Sequence, residues 1–171
     1  MNSTAPVLIG YDGSDAARRA IHETAKLFGS RRALVLTVWE PTLPYQLAEK
    51  VGWVPGSPDL APPPVVDVEV AHEIDDNLQA QAHRIAEHGA ELAKSLGLQA
   101  EALVVADEDI NVADTIVELA RERDVAAIVI GSRGLTGLRA RVEGSTSSAV
   151  LKHSPCPVLT VHGHRDYPPG D

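Results

Sequence analysis

The segment GSRGLTGLRARVEGSTSSAV, residues 131–150, gathers the residue types that hold an anion. Gly131, Gly134 and Gly144 stand at fixed offsets, and Ser145, Thr146, Ser147 and Ser148 follow at once. Arg133, Arg139 and Arg141 against Glu143 make the segment locally positive in a chain whose formal net charge is -9. Phosphate oxygens are satisfied by backbone N–H groups in concave turns and at helix N-termini, where the helix dipole adds positive potential. Glycine permits close backbone approach because it lacks a Cβ and accepts positive φ. Gly131 closes an apolar run, Gly134 permits a reversal, and Gly144 with Ser145 opens a helix. The chemistry this suggests is binding of nucleotide phosphates. Two common phosphate patterns are absent: no lysine precedes the Ser-Thr run as in GxxxxGK[ST], and no GxGxxG follows the first apolar run.

Asp12 lies in the turn YDGSD directly after that first run and is a candidate for ligand contact. The competing role is local, since Asp in such a turn also organises the start of the next helix. Asp15 reads as a first-turn helix charge. The seven histidines form no ligand pattern; His83 and His88 are five apart, so they do not share a helix face. They read as solvated or partly packed, with no metal site. Cys156, between Pro155 and Pro157, has no base near it in sequence and reads as a buried structural thiol. No catalytic residue stands out, because phosphoryl transfer to water needs a positioned water and charge stabilisation. Arg133 could serve the charge, and nothing evident orients the water.

The elements that must position these residues follow from periodicity. Short apolar runs at Pro6–Gly10, Ala33–Val38, Glu101–Ala106 and Ala126–Gly131, and within SPCPVLTV, read as buried strands. Between the first two, Ala17, Ala20, Ile21, Thr24 and Phe28 recur at helical spacing, with Ser14 as cap and Gly29 as stop. From Asp67 to Leu96 the stripe is Ile74, Leu78, Ala82, Ile85, Gly89, Leu92 and Leu96. Asn111–Asp124 reads as a helix with Val112, Ile116 and Leu119 inward, and a short helix runs from Ser145 to His153. The alternation β-α-β-α-β-α-β-α-β with near-continuous apolar strands implies a five-stranded parallel sheet with helices on both faces. Ligands of such sheets sit beyond the carboxyl ends of the strands, where strand order reverses.

At 171 residues the chain reads as one domain over 1–161, followed by a tail at 162–171. A proline-rich insertion at 41–66 interrupts it, with Tyr45 and Trp53 as possible contact residues of a lid or docking arm. Apolar residues are 44% and aromatics only 4%, so the core must be built from Val, Leu, Ile and Ala. The acidic balance argues against nucleic acid or anionic membrane as a partner. One cysteine fits a reducing compartment. The opening MNSTAPVLIGYD has no basic segment before a long apolar run, and no stretch approaches a membrane span. The expectation is a cytoplasmic protein.

The spacing Gly131-x2-Gly134-x9-Gly144-Ser145 resembles the nucleotide-binding signature of the universal stress protein family, in its ATP-binding branch. YDGSDAARRA, LTVWEP, AAIVIGSRG and SPCPVLTV are similar to the same family, so the likeness covers the chain apart from the insertion and tail. The resemblance implies an adenine nucleotide α-hydrolase-like, Rossmann-like sandwich that binds ATP with Mg²⁺ and acts as a stress-response or signalling homodimer. It implies that Asp12 meets the adenosine and that Val38 packs on adenine and offers backbone groups to its edge. Val105 and Ala106 would line the purine side, although the family often has glycine where Ala106 stands. Gly131, Arg133 and Gly134 would lie by the ribose and phosphates, with Gly144, Ser145, Thr146 and Ser147 holding the phosphates. The last strand, Pro157 to Val161, would be the dimer contact, and a further protein partner is implied but not identified. Two other functions compete. One is an enzyme, a slow ATPase or a nucleotidyl-transferring protein of related α/β fold; an adenylating enzyme of that kind would carry an SGGxDS-type loop after the first strand, and YDGSD lacks its paired glycines. A non-nucleotide interaction module would use the acidic surface and the proline-rich arm, and the glycine spacing argues against it.

Overall fold

A computed structural model describes residues 5–41, 68–107, 111–131 and 146–162. Five strands, β1 (Val7–Gly10), β2 (Arg32–Trp39), β3 (Gln99–Ala106), β4 (Ala127–Gly131) and β5 (Val158–Val161), form one parallel sheet in the order β3-β2-β1-β4-β5. Among the described residues four helices lie between them: α1 (Asp15–Phe28), α2 (Val68–Ser95), α3 (Val112–Glu122) and α4 (Thr146–His153). The chain therefore has the expected five-stranded parallel α/β fold. The insertion with Tyr45 and Trp53, and the tail from residue 163, lie outside the described residues.

The central strands are apolar throughout because both their faces are covered. Every residue of β1 and β4 is buried. Val7, Ile9, Ala33, Val35 and Val129 form one core with Ala17, Ala20 and Ile21 of α1 and Ala90 and Ala93 of α2. Leu8, Leu34, Leu36, Ile128 and Ile130 form the other, with Ile116, Val117 and Ala120 of α3 and Val150 of α4. The alternation of odd and even positions between the two cores is the strand period of two. From β1 to β3 the chain steps one way across the sheet, and from β3 to β5 it steps the other. A constant right hand at each crossover requires the helices to change face at that reversal. They do: α1 and α2 cover one face, α3 and α4 the other.

Local rules account for the ends of α1. The Ser14 hydroxyl accepts from the Ala17 N–H at 3.2 Å, and Gly29, at φ +61°, donates its N–H to the Ala25 carbonyl at 3.1 Å. Asp15 sits in the first turn as a helix charge, paired at the surface with Arg18. In α2 the deepest residues are Ala82, Ala86, Ala90 and Ala93, whereas Ile74 is 41% exposed. The expected stripe is thus rotated toward the alanines, whose small side chains let the helix backbone come close to the sheet. Length explains the exposed start. The helix has 28 residues, about 42 Å, against strands of eight residues, about 26 Å, so its first turns pass beyond the sheet.

Two further expectations are corrected. Cys156 is half-buried rather than buried. The Ser154 hydroxyl accepts from the Cys156 N–H and donates to the Cys156 carbonyl, so this turn leaves the thiol at the rim of the core. β3 starts two residues before the expected Glu101, at Gln99, because it pairs with the full length of β2, from Arg32↔Gln99 to Trp39↔Ala106.

Candidate functional site

Strand registers decide which residues share the carboxyl edge of the sheet. Gly10 pairs with Leu36, and Leu36 with Leu103. Asp12, Val38 and Val105 each lie two residues farther on, so they stand at one height on three adjacent strands. Side chains alternate along a strand, and Val38 and Val105 both pack at the rim of the core under α3 and α4. Ala106, one residue on and opposite Trp39, is exposed. Ile9 pairs with Val129, so Gly131 lies level with Tyr11, one residue below Asp12. The sheet order reverses between β1 and β4, where parallel sheets of this kind open a ligand crevice.

The turn after β1 is held by four bonds. The Tyr11 N–H donates to the Leu36 carbonyl at 2.8 Å, and the buried Thr37 hydroxyl donates to the Tyr11 carbonyl at 2.8 Å. Asp12 then folds over its own backbone, accepting from the Ser14 N–H at 3.0 Å through Oδ1. Gly13 takes φ +80°, a conformation that side chains rarely adopt. Ser14 caps α1. Asp12 therefore plays its local turn role, and its other carboxylate oxygen is not used in that turn. The ring of Tyr11 is wholly buried, and its hydroxyl shares a 3.0 Å hydrogen bond with His88 Nδ1 on α2. A Cβ on Gly89 would lie 2.6 Å from that ring, so glycine is what lets α2 dock there. Thus one of the histidines expected to be solvated or partly packed ties α2 to the carboxyl end of β1.

Gly131 answers a packing demand. A Cβ there would lie 2.9 Å from the Ala16 carbonyl carbon and Cβ and 3.0 Å from the Ala17 nitrogen. Its missing side chain admits the first turn of α1 against β4. The Gly131 carbonyl accepts from the buried Ser147 hydroxyl at 3.3 Å, which ties β4 to the first turn of α4. The Ser147 hydroxyl hydrogen is thus used inside the protein. Thr146 begins α4 half-buried, and N–H groups in a first helical turn have no intrahelical acceptor. Arg133, Gly134, Gly144 and Ser145 lie outside the described residues.

The periodicity of the chain did not reveal three of these residues: Thr37, His88 and Asp107. Asp107 follows β3 and is 4% exposed, its N–H donates to the Trp39 carbonyl at 2.8 Å, and its Oδ2 is buried with no hydrogen-bond partner among the described residues. The signal available for it was a carboxylate placed straight after an apolar strand. Among the described residues no three His, Cys, Asp or Glu side chains converge as a metal site, and no helix is long and apolar enough to cross a membrane.

Solved structures share this architecture. The universal stress protein of Archaeoglobus fulgidus in complex with dAMP is 21% identical, covering 92% of this chain and 97% of that one, with a TM-score of 0.54. An Arabidopsis thaliana universal stress protein family protein with AMP bound is 19% identical, covering 98% and 97%, with a TM-score of 0.59. A universal stress protein in complex with cAMP has a TM-score of 0.60 at 23% identity, covering 93% and 97%. In sequence, the universal stress protein YxiE of Bacillus subtilis is 30% identical over 155 residues, 91% of this chain and 97% of YxiE. The model of the universal stress protein family matches residues 4–162, and this chain belongs to that family.

Proposed function

We propose that this protein binds an adenine nucleotide, ATP with Mg²⁺, across the carboxyl edge of its sheet and works as a nucleotide-dependent stress-response dimer. The observation that carries this reading is the alignment of Asp12, Val38 and Val105 at one height beside the reversal of strand order. Val38 and Val105 offer an apolar bed for the purine, with Ala106 at its rim. Asp12 offers a free carboxylate oxygen to the adenosine. Gly131, Arg133, Gly134, Gly144, Ser145, Thr146 and Ser147 are the phosphate side, through backbone N–H groups and the arginine charge. Ser147 serves there by its backbone, since its hydroxyl is bonded to Gly131. Mg²⁺ would be held mainly by phosphate and water. AMP, dAMP and cAMP in the structural relatives support the adenine nucleotide class. The ATP preference rests on the glycine–serine spacing.

For the dimer, β5 is a sheet edge and each of its residues is only half-buried. An edge strand with unpaired backbone groups is a template for pairing with a second copy. Pro157 to Val161 is therefore the proposed contact. Switching requires the nucleotide to favour one of two states of the dimer or of a partner site.

Native mass spectrometry of the freshly purified full chain, with nucleotide analysis after denaturation, tests the reading. A dimer that carries ATP supports it, and ADP in its place raises slow turnover. An empty protein that takes up no added Mg–ATP refutes it in favour of an interaction module. A Gly144→Ala, Ser145→Ala double variant with unchanged Mg–ATP affinity refutes the phosphate assignment alone.

A further inference from the structure

Asp107 and Thr160 are the two described side chains with a buried polar atom that meets no hydrogen-bond partner, and of the two only Asp107 is a carboxylate. A buried carboxylate is costly to keep away from water unless it is paired, and buried polar groups are almost always hydrogen-bonded. Thr24, Thr37 and Ser147 follow this, each donating to a backbone carbonyl. Asp107 is more than nine-tenths buried, yet among the described residues its Oδ2 meets no donor. No arginine, lysine or histidine pairs with it in any described salt bridge. An unpaired buried acceptor of this kind calls for a partner beyond its described neighbours, and a bound ligand is one that can supply it.

Its position says which partner. The Asp107 N–H prolongs the β2–β3 ladder by donating to Trp39, the residue after Val38. Asp107 stands two residues beyond Val105 on the same strand line, just past the apolar bed proposed for the base. The phosphate side lies across the sheet at β4 and α4. β3 is the opposite edge, with β2 and β1 between. At about 4.8 Å per strand, the path from β4 to β3 is roughly 14 Å, the reach of a nucleotide laid out from its phosphates to the far edge of its base. The group at that far edge able to satisfy a carboxylate is a hydrogen-bond donor, and in adenine that donor is the 6-amino group.

We infer that Asp107 is a base-recognising residue whose unpaired carboxylate oxygen accepts a hydrogen from the 6-amino group of the bound purine. The inference rests on the adenine-nucleotide reading above and names the residue that selects a 6-amino over a 6-oxo purine. A 6-oxo purine presents an acceptor to the same oxygen, so two acceptors face each other and the carboxylate stays unsatisfied. Discrimination by a buried group left unpaired is the strong form of specificity.

The test is calorimetric titration of Mg–ATP and Mg–ITP, which differ at that position, into the full chain and its Asp107→Ala and Asp107→Asn variants. Hydrogen bonds to charged groups are worth about 10- to 150-fold in affinity. The wild type should prefer ATP over ITP by a factor in that range. Asp107→Ala should lose most of the ATP affinity while holding ITP within about twofold. Without nucleotide, Asp107→Asn should melt at or above the wild type, because it removes an unpaired buried charge. Equal affinity of the wild type for ATP and ITP overturns the inference and leaves the nucleotide reading intact. Equal weakening of both ligands by Asp107→Ala also overturns it, as does an Asp107→Asn protein that melts below the wild type, since either marks a purely structural group. A wild type that binds no Mg–ATP overturns both readings.

Discussion

Substituting alanine at Gly131 separates two reasons for a glycine at the end of β4. The added Cβ would stand 2.9 Å from two Ala16 carbons and 3.0 Å from the Ala17 nitrogen. Ordinary carbon contacts lie near 3.5–4.0 Å, so the overlap is about 0.6–1.1 Å. Two of the three obstructing atoms are backbone, in a turn pinned by the Ser14 cap on the Ala17 N–H. They cannot swing aside as a long side chain would. Overpacking of this kind costs about 1–3 kcal/mol. For a domain of this size each kcal/mol moves the melting temperature by about 2–4 °C, which gives a fall of about 2–12 °C. The assay is thermal and denaturant unfolding of the nucleotide-free protein, where no ligand contact contributes. A second substitution, Ala16→Gly, removes one of the three clashes at a helix-propensity cost of about 1 kcal/mol. The pair should be non-additive by at least about 0.5 kcal/mol, with partial recovery. A Gly131→Ala protein as stable as the wild type but weaker for Mg–ATP would refute the packing argument and return this glycine to the ligand alone.

Three other substitutions probe the same edge and the core beneath it, and a fourth, at an exposed site, serves as their control. Thr37→Val strands the Tyr11 carbonyl and should cost about 1–3 kcal/mol in urea unfolding, because a buried acceptor loses its donor. Ser14→Ala removes the cap and should cost about 1 kcal/mol, with faster amide exchange at Ala17, whose N–H it frees. Ile130→Ala, at a wholly buried site, should cost about 2–5 kcal/mol, whereas Leu27→Ala, at 63% exposure, should stay within about 0.5 kcal/mol of wild type by the same measurement.

The fold was legible because its signals are local. Apolar runs such as VLIG and AIVIG have nothing but buried-strand readings in this alternating pattern, and Ser14 and Gly29 mark the ends of α1 by their own backbone chemistry. The phase of α2 was less legible. Leucine and isoleucine outweigh alanine in any hydrophobic pattern, yet Ala86, Ala90 and Ala93 are among the most buried residues of this helix. The sheet selects small residues there because a close helix axis leaves no room for larger ones. Cys156 was misplaced for a related reason: flanking prolines reveal a strand start, but not whether the turn before it lies at the rim.

The site divides the same way. A phosphate loop is written in consecutive residues, so its glycine and hydroxyl spacing could be read along the chain. The base side is assembled from β1, β2 and β3, and only their registers bring Asp12, Val38 and Val105 to one height. Gly131 shows how far residue type alone can carry such a reading. Its spacing singled it out, yet the demand visible in the structure comes from α1, more than a hundred residues earlier in the chain. Absence of a Cβ serves a helix turn and a phosphate equally well, and sequence spacing does not distinguish them. Asp107 is the converse case. Its place straight after an apolar strand is the one signal along the chain, and that alone does not separate it from an ordinary loop carboxylate. Its burial with an oxygen unpaired depends on β3 pairing with β2 as far as Trp39. A group that costs stability where it stands and gains nothing from its described neighbours is accounted for by a ligand that binds beside it. For that reason its removal should strengthen the empty protein and weaken the loaded one.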